Sequence, residues 1–154
     1  MIILYLVDKG LLDKPVLYIS DFFEKHKNSY YDALSMVKTS NNIDQWLRFF
    51  LKGVTDTAKD SINTFEKVIT LRKDSEQKIL SLGRKSKTRM ELLTFLYSKP
   101  NINARLIQEK FNLSTPAANK LITEFVEIKI LKEKTGFKRN RYFVFEDYLK
   151  IFRG

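Results

Sequence analysis

The chain has 154 residues, a formal net charge of +10 and no cysteine. That length suits one ordinary domain or two small ones, and the 44% hydrophobic content is enough for a packed core. The absence of cysteine excludes disulfides, thiolate metal sites and a cysteine nucleophile. No apolar stretch approaches the roughly 20 residues that span a bilayer, and the apolar N-terminus lacks a basic leader and a cleavage site. We therefore expect a soluble, cytoplasmic protein with no signal peptide and no membrane partner.

The positive charge is concentrated in the second half of the chain. Residues 1–82 contain 12 Lys and Arg against 11 Asp and Glu, whereas residues 83–154 contain 16 against 7. A net charge of +9 therefore belongs to the second segment. Charge on this scale attracts polyanions and indicates a nucleic-acid-binding module behind a nearly neutral segment.

Helical patterns fill the first part of the chain. An apolar face over residues 2–7 predicts a helix that reaches Gly10, and residues 15–19 are predicted to be extended. Ser20 and Asp21 are expected to supply the cap of the next helix, and Glu24 is placed to close a capping box if Asp21 is the N-cap. A further helix is predicted from about residue 29 to residue 37.

The longest helix is predicted to begin at Ile43 or Asp44. Its apolar residues recur at intervals of three and four, which is typical of a buried helix face. These residues are Trp46, Phe50, Val54, Ile62, Phe65 and Ile69. After Ile69 the sequence becomes polar, and we expect an exposed helical arm that ends near Gly83. The predicted domains are a helical segment at residues 1–83 and a second domain at residues 84–154.

Three short helices are predicted in the second domain. A helix over residues 88–98 precedes a short helix capped by Asn103. After a tight turn at residues 112–114, Thr115 is the expected cap of the third helix and Pro116 its first residue.

Two predicted strands follow these helices, at residues 130–133 and 142–145, and a closing helix covers residues 146–152. The order of helices, turn and basic hairpin is that of a winged helix-turn-helix. The predicted fold class is therefore mainly α, with a small β-hairpin wing.

Two surfaces of the second domain are candidates for DNA contacts. On the third helix, Thr115, Asn119 and Lys120 are placed to reach base edges, whereas Glu124 and Glu127 on the same side would repel phosphates. The hairpin supplies cations suited to phosphate contacts, with a merely solvated loop as the alternative. These cations are Lys132, Lys134, Lys138, Arg139 and Arg141. A second basic group forms either a phosphate clamp or a solvated hinge; it consists of Arg84, Lys85, Lys87 and Arg89.

Five short segments match one protein family in their order and spacing. They are YLVDKGLL at residues 5–12, KPVLYIS at 14–20, NSYY at 28–31, WLRFFL at 46–51 and RNRYFVF at 139–145. The chain thereby resembles the Fic (Fic/Doc) family over essentially its whole length. It is most similar to the part of bacterial Fic proteins that follows the catalytic loop and ends in a winged helix.

The resemblance implies protein adenylylation (AMPylation), in which the full-length family uses ATP and Mg²⁺ to transfer AMP to a protein target. The family signature, His-Pro-Phe followed by Gly-Asn-Gly-Arg, would lie immediately before Met1 and is absent. The only histidine is His26, and it has no glycine-rich loop nearby; a solvated helical histidine is the alternative to a general base. We expect this chain alone to have no catalytic or metal-binding residue, to need no cofactor and to be inactive. Tyr30 and Tyr31 match family positions beside the nucleotide's adenine, with simple helix packing as the alternative.

Three hypotheses follow. The first is a non-catalytic C-terminal portion of a Fic-type adenylyltransferase whose winged helix binds DNA, or a stand-alone DNA-binding regulator. The second is a winged helix that docks a protein substrate, which Glu124 and Glu127 favour. The third is an enzyme completed in trans by a partner with the catalytic loop. Exposure of the apolar stripe in the absence of a catalytic half would also favour a homodimer.

Overall fold

The computed structural model describes residues 8–10, 19–83, 86–137 and 141–153. The described helices are α1 (Ile19–Lys25), α2 (Lys27–Ser40), α3 (Ile43–Leu80), α4 (Ser86–Ser98), α5 (Ala104–Phe111), α6 (Thr115–Glu127) and α7 (Glu146–Arg153). The described strands are β1 (Asn101–Asn103), β2 (Lys132–Glu133) and β3 (Tyr142–Val144). The mainly α class with a small β element is confirmed. The predicted helix over residues 2–7 lies outside the described residues.

None of the helices in these described ranges combines the length and apolar character needed to cross a membrane.

Two compact units share the chain, Met1–Asn63 and Thr64–Gly154. The division falls within α3, upstream of the predicted boundary at residues 83 and 84, so the last turns of α3 belong to the second unit. In that unit Ser75 is 2% exposed, and Ile79 is fully buried in the same core cluster as Leu92 and Phe125. The expectation of an exposed arm is therefore wrong, because α3 presents Ser75 and Ile79, at i and i+4, to this core.

The first unit is built around a small aromatic core. Ile19 and Phe22 of α1 are buried, and Phe49 and Phe50 of α3 pack against them. Gly53 permits this approach, since a Cβ atom at that position would lie 2.6 Å from Cδ1 of Phe22.

The predicted cap of α1 is wrong. The helix begins at Ile19, so Ser20 and Asp21 lie inside the first turn rather than before it. A carboxylate in the first turn still favours the helix, because it faces the positive end of the helix dipole.

The predicted buried stripe of α3 is only half correct. Trp46, Phe50 and Val54 are partly buried, and the ring of Trp46 stacks on that of Phe50 at 5.3 Å. The second half of the stripe is exposed instead, at 59% for Ile62, 61% for Phe65 and 53% for Ile69. These residues lie on a different side of the helix from the Ser75 and Ile79 face, which packs in the second unit.

The sheet of the second unit has three strands in the order β1-β3-β2, both pairs being antiparallel. The sequence predicted the β2–β3 hairpin but not β1, which is only three residues long and follows Pro100. Ile102 of β1 pairs with Phe143 of β3, and both are buried. The sheet thereby closes one side of the core formed by α4, α5 and α6.

Two caps position the helix-turn-helix. Asn103 accepts a hydrogen bond from the backbone N–H of Leu106 at 2.9 Å, as predicted. The predicted cap Thr115 is wrong: Ser114 is the N-cap of α6 and accepts from the N–H of Ala117. Both serine and threonine can cap, and the extended backbone at Ser114 decides between them.

Candidate nucleic-acid interface

Helix α6 has a clear division between buried and exposed sides. Its apolar residues Ala118, Leu121, Ile122 and Phe125 are buried. Its outward residues are Thr115, Ala117, Asn119, Lys120 and Thr123, and all of them are exposed. The three residues predicted to reach base edges are therefore accessible on one helix.

The N-terminus of α6 is tied to α5. The hydroxyl of Thr115 donates to Oε1 of Gln108 at 3.0 Å. This bond uses the hydroxyl proton, so Thr115 is left as a hydrogen-bond acceptor toward a ligand.

Glu124 does not face solvent as an unpaired acid. Its Oε2 accepts from Nε of Arg89 on α4 at 2.9 Å, and the side chains are 20% and 10% exposed, respectively. The prediction that Glu124 repels phosphates is wrong, because a partly buried guanidinium neutralises it. Arg89 is likewise excluded as a phosphate clamp.

The other charged residues considered as contacts are Glu127 and the remaining members of the second basic group, Arg84, Lys85 and Lys87. Glu127 and Lys87 are exposed. Arg84 and Lys85 lie outside the described residues, so their predicted role is unaffected by the structure.

Arg141 of the wing, the hairpin formed by β2, β3 and the intervening loop, is paired with a carboxylate. Its Nε donates to Oε1 of Glu133 at 2.9 Å, and its Nη2 bonds to Oε2 of the same carboxylate. Its guanidinium also lies 5.1 Å from the ring centroid of Phe143. The hydrogen bond lowers the pKa of Glu133 and raises that of Arg141, so both groups stay charged near neutral pH.

Lys132 and Lys134 share a second carboxylate. The Nζ atoms of Lys132 and Lys134 lie 3.2 Å and 2.8 Å from the two oxygens of Glu146, the first residue of α7. Lys132 lies on β2 and Lys134 directly after its end, and both ammonium groups converge on this one carboxylate. Hydrogen bonds from Lys134 and then Lys132 lower the pKa of Glu146 to about 2.

The net positive charge of the described part of the wing is therefore smaller than the number of its cations suggests. Lys132, Lys134 and Arg141 are opposed by Glu133 and Glu146. Lys138 and Arg139 lie outside the described residues and remain predicted contacts.

Two aromatic residues of the wing that the sequence did not single out as contacts are exposed. Phe137 is 65% exposed and Tyr142 is 48% exposed. The sequence does place both residues in or beside a basic hairpin, where aromatic rings can stack on nucleic-acid bases.

In the first unit, the two candidate nucleotide contacts have different surroundings. Tyr30 is partly buried and stacks on Phe23 at 5.2 Å, whereas Tyr31 is 57% exposed. The two tyrosine rings meet edge to face at 5.5 Å. His26 is exposed, and its ring lies 4.4 Å from that of Phe22. Of the two tyrosines, Tyr31 thus has the more accessible ring.

A comparison with the profiles of known protein families gives no match to this chain.

Proposed function

We propose that the winged helix of the second unit binds duplex DNA, with α6 in the major groove and the wing along the neighbouring phosphates. The observation behind this proposal is the exposed side of α6, where Asn119 and Lys120 are free of the apolar core. Glu124, the acid on α6 that was expected to repel phosphates, is neutralised by its ion pair with Arg89. The net charge of +9 on residues 83–154 supports the same proposal.

The two sides of the interface have different roles in this proposal. Asn119 and Lys120 are suited to adenine and guanine edges, respectively, and supply sequence preference. The wing cations, including Lys138 and Arg139, contact phosphates and supply affinity without preference.

We further propose that the chain is the C-terminal, non-catalytic portion of a bacterial, cytoplasmic Fic-type adenylyltransferase. The order of the matching segments supports this, and the aromatic contacts of Tyr30 leave Tyr31 available beside a nucleotide. In this proposal ATP, Mg²⁺ and the modified protein belong to the full-length enzyme, and the winged helix guides it or represses its own operon.

A protein-docking role for the winged helix is the second candidate. Glu127 is exposed on α6, and Glu133 and Glu146 offset wing cations. A protein partner with mixed charge could contact both the cations and the carboxylates of this surface.

Self-association also remains a prediction. The exposed side chains of Ile62, Phe65 and Ile69 on α3 support it. Sedimentation of the purified chain at several concentrations would measure it.

Fluorescence anisotropy with labelled duplexes tests the DNA proposal. Lys120→Ala should weaken binding by about tenfold, because it removes a groove contact. The control, Lys38→Ala, removes the same charge from an exposed position on α2 and should change binding by less than about twofold. Equal effects of the two substitutions would contradict a role for α6.

A further inference from the structure

The carboxylate of Glu146 holds two wing cations in the way a DNA phosphate would. It receives Nζ of Lys134 at 2.8 Å and Nζ of Lys132 at 3.2 Å, one on each oxygen. Glu133 does the same for Arg141 through two nitrogens of the guanidinium. All three wing cations that the structure describes thus have an intramolecular anion.

We propose that Glu146, assisted by Glu133, is an autoinhibitory contact: it occupies the wing cations in the free protein and must be displaced by backbone phosphates when DNA binds. This inference rests on the proposed DNA function. In this inference the two carboxylates compete with DNA phosphates for the wing cations. DNA binding should therefore be weaker than the number of cations suggests.

The contacts are suited to reversible displacement. The Lys132 and Lys134 side chains are 68% and 47% exposed, and Arg141 is 48% exposed. Ion pairs with this exposure contribute little to stability, since water and salt screen them. A phosphate chain, with its high density of charge, can therefore replace the carboxylates without unfolding the wing.

The neighbouring residue offers a closely matched control. Asp147 also lies in the first turn of α7, but its carboxylate pairs with Lys150 at 3.3 Å rather than with the wing. Asp147→Asn and Glu146→Gln change the net charge equally and at adjacent positions. A difference between them therefore reports the wing contact and not the total charge.

The test is anisotropy with a random 20-base-pair duplex for the full chain and both variants. Glu146→Gln should bind about threefold to tenfold more tightly than the wild type, whereas Asp147→Asn should differ by less than about twofold. The slope of log affinity against log salt should also steepen by about one unit for Glu146→Gln. Glu133→Gln, which frees Arg141, should show the same direction of change. Thermal melts of each variant confirm that it is folded.

The outcomes separate this inference from the DNA proposal. Salt-dependent binding by the wild type with equal affinities for Glu146→Gln and Asp147→Asn would overturn the autoinhibitory contact alone. Binding by Glu146→Gln but not by the wild type would support it. No binding by any of these proteins at low salt would overturn both proposals.

Discussion

Nε of Arg89 on α4 and Oε2 of Glu124 on α6 lie 2.9 Å apart in a largely buried ion pair. The pair joins the first helix of the winged helix to the helix that we propose enters the major groove. It ties α6 to α4, while Thr115, Asn119 and Lys120 stay exposed on α6. The Nη1 atom of Arg89 is buried and has no hydrogen-bond partner among the described residues. The carboxylate of Glu124 is therefore the main group that offsets the cost of burying the Arg89 charge.

Breaking this pair from one side should be costly. Glu124→Ala leaves the Arg89 charge buried and unpaired, and we expect it to lower the free energy of unfolding by about 3 kcal/mol. The apolar double variant Arg89→Met with Glu124→Leu should lie within about 1 kcal/mol of the wild type, because it removes both charges. Urea unfolding measures both values, and equal losses in the single and double variants would contradict a paired role.

The C-terminus of α6 offers a way to stabilise the protein. Lys129 has a positive φ of 59°, the N–H of Lys129 donates to the carbonyl of Val126, and that of Ile130 donates to Phe125. These bonds define a Schellman motif, in which glycine is preferred at the position of Lys129.

Lys129→Gly should therefore raise the free energy of unfolding by about 1 kcal/mol, because it removes the strain of a side chain in the left-handed region. Lys129→Ala removes the same charge but keeps the strain, so it should give no such gain. Thermal or urea unfolding compares the two variants, and the same stability for both would contradict the left-handed conformation of Lys129.

Gly53→Ala should destabilise the first unit. An alanine in a helix interior usually adds about 0.5–1 kcal/mol of stability over glycine. Here the new Cβ would lie 2.6 Å from the Phe22 ring, and overpacking of this kind costs about 1–3 kcal/mol. We expect a net loss on urea unfolding, and Phe22→Leu in the same chain should reduce it. A gain in stability from Gly53→Ala alone would contradict the packing of α1 on α3.

The pH dependence of Glu146 tests the wing contact without DNA. Its pKa is lowered from 4.5 to about 2 by Lys134 and Lys132. A carboxyl whose pKa is lower in the folded state contributes stability above its ordinary pKa of 4.5 and loses it as the pH falls toward about 2; here that contribution is small, because solvent screens the exposed pairs. Carboxyl-carbon NMR should show this low pKa, and Lys134→Met should raise it toward the ordinary value. An ordinary pKa in the wild type would contradict the contact.

The local parts of the fold were predictable because their signals are short in range. Asn103 precedes its helix with a side chain that can cap, and the apolar spacing of α6 identified its buried residues. Neighbouring candidates were harder to separate, as with Ser114 and Thr115. Strand β1 was missed because three residues carry almost no periodic signal.

The sequence predicted which charged residues lie at the candidate interface, but not which of them form ion pairs with one another. Sequence showed Lys120 and Asn119 on an outward helix side and cations in the hairpin. It gave no sign that Glu124 meets Arg89, which is 35 residues away, or that Glu146 lies between Lys132 and Lys134. Such contacts depend on how elements distant in the chain pack, and they decide which charges remain available to a ligand.

The most direct test of DNA binding by this winged helix is the affinity of the wild-type chain for random duplex DNA at two salt concentrations. With about four phosphate contacts, we expect micromolar binding at 50 mM salt that weakens by about 100-fold at 200 mM. Anisotropy measures both values on the same labelled duplex. Absence of binding at 50 mM salt, or binding that salt leaves unchanged, would contradict the proposal.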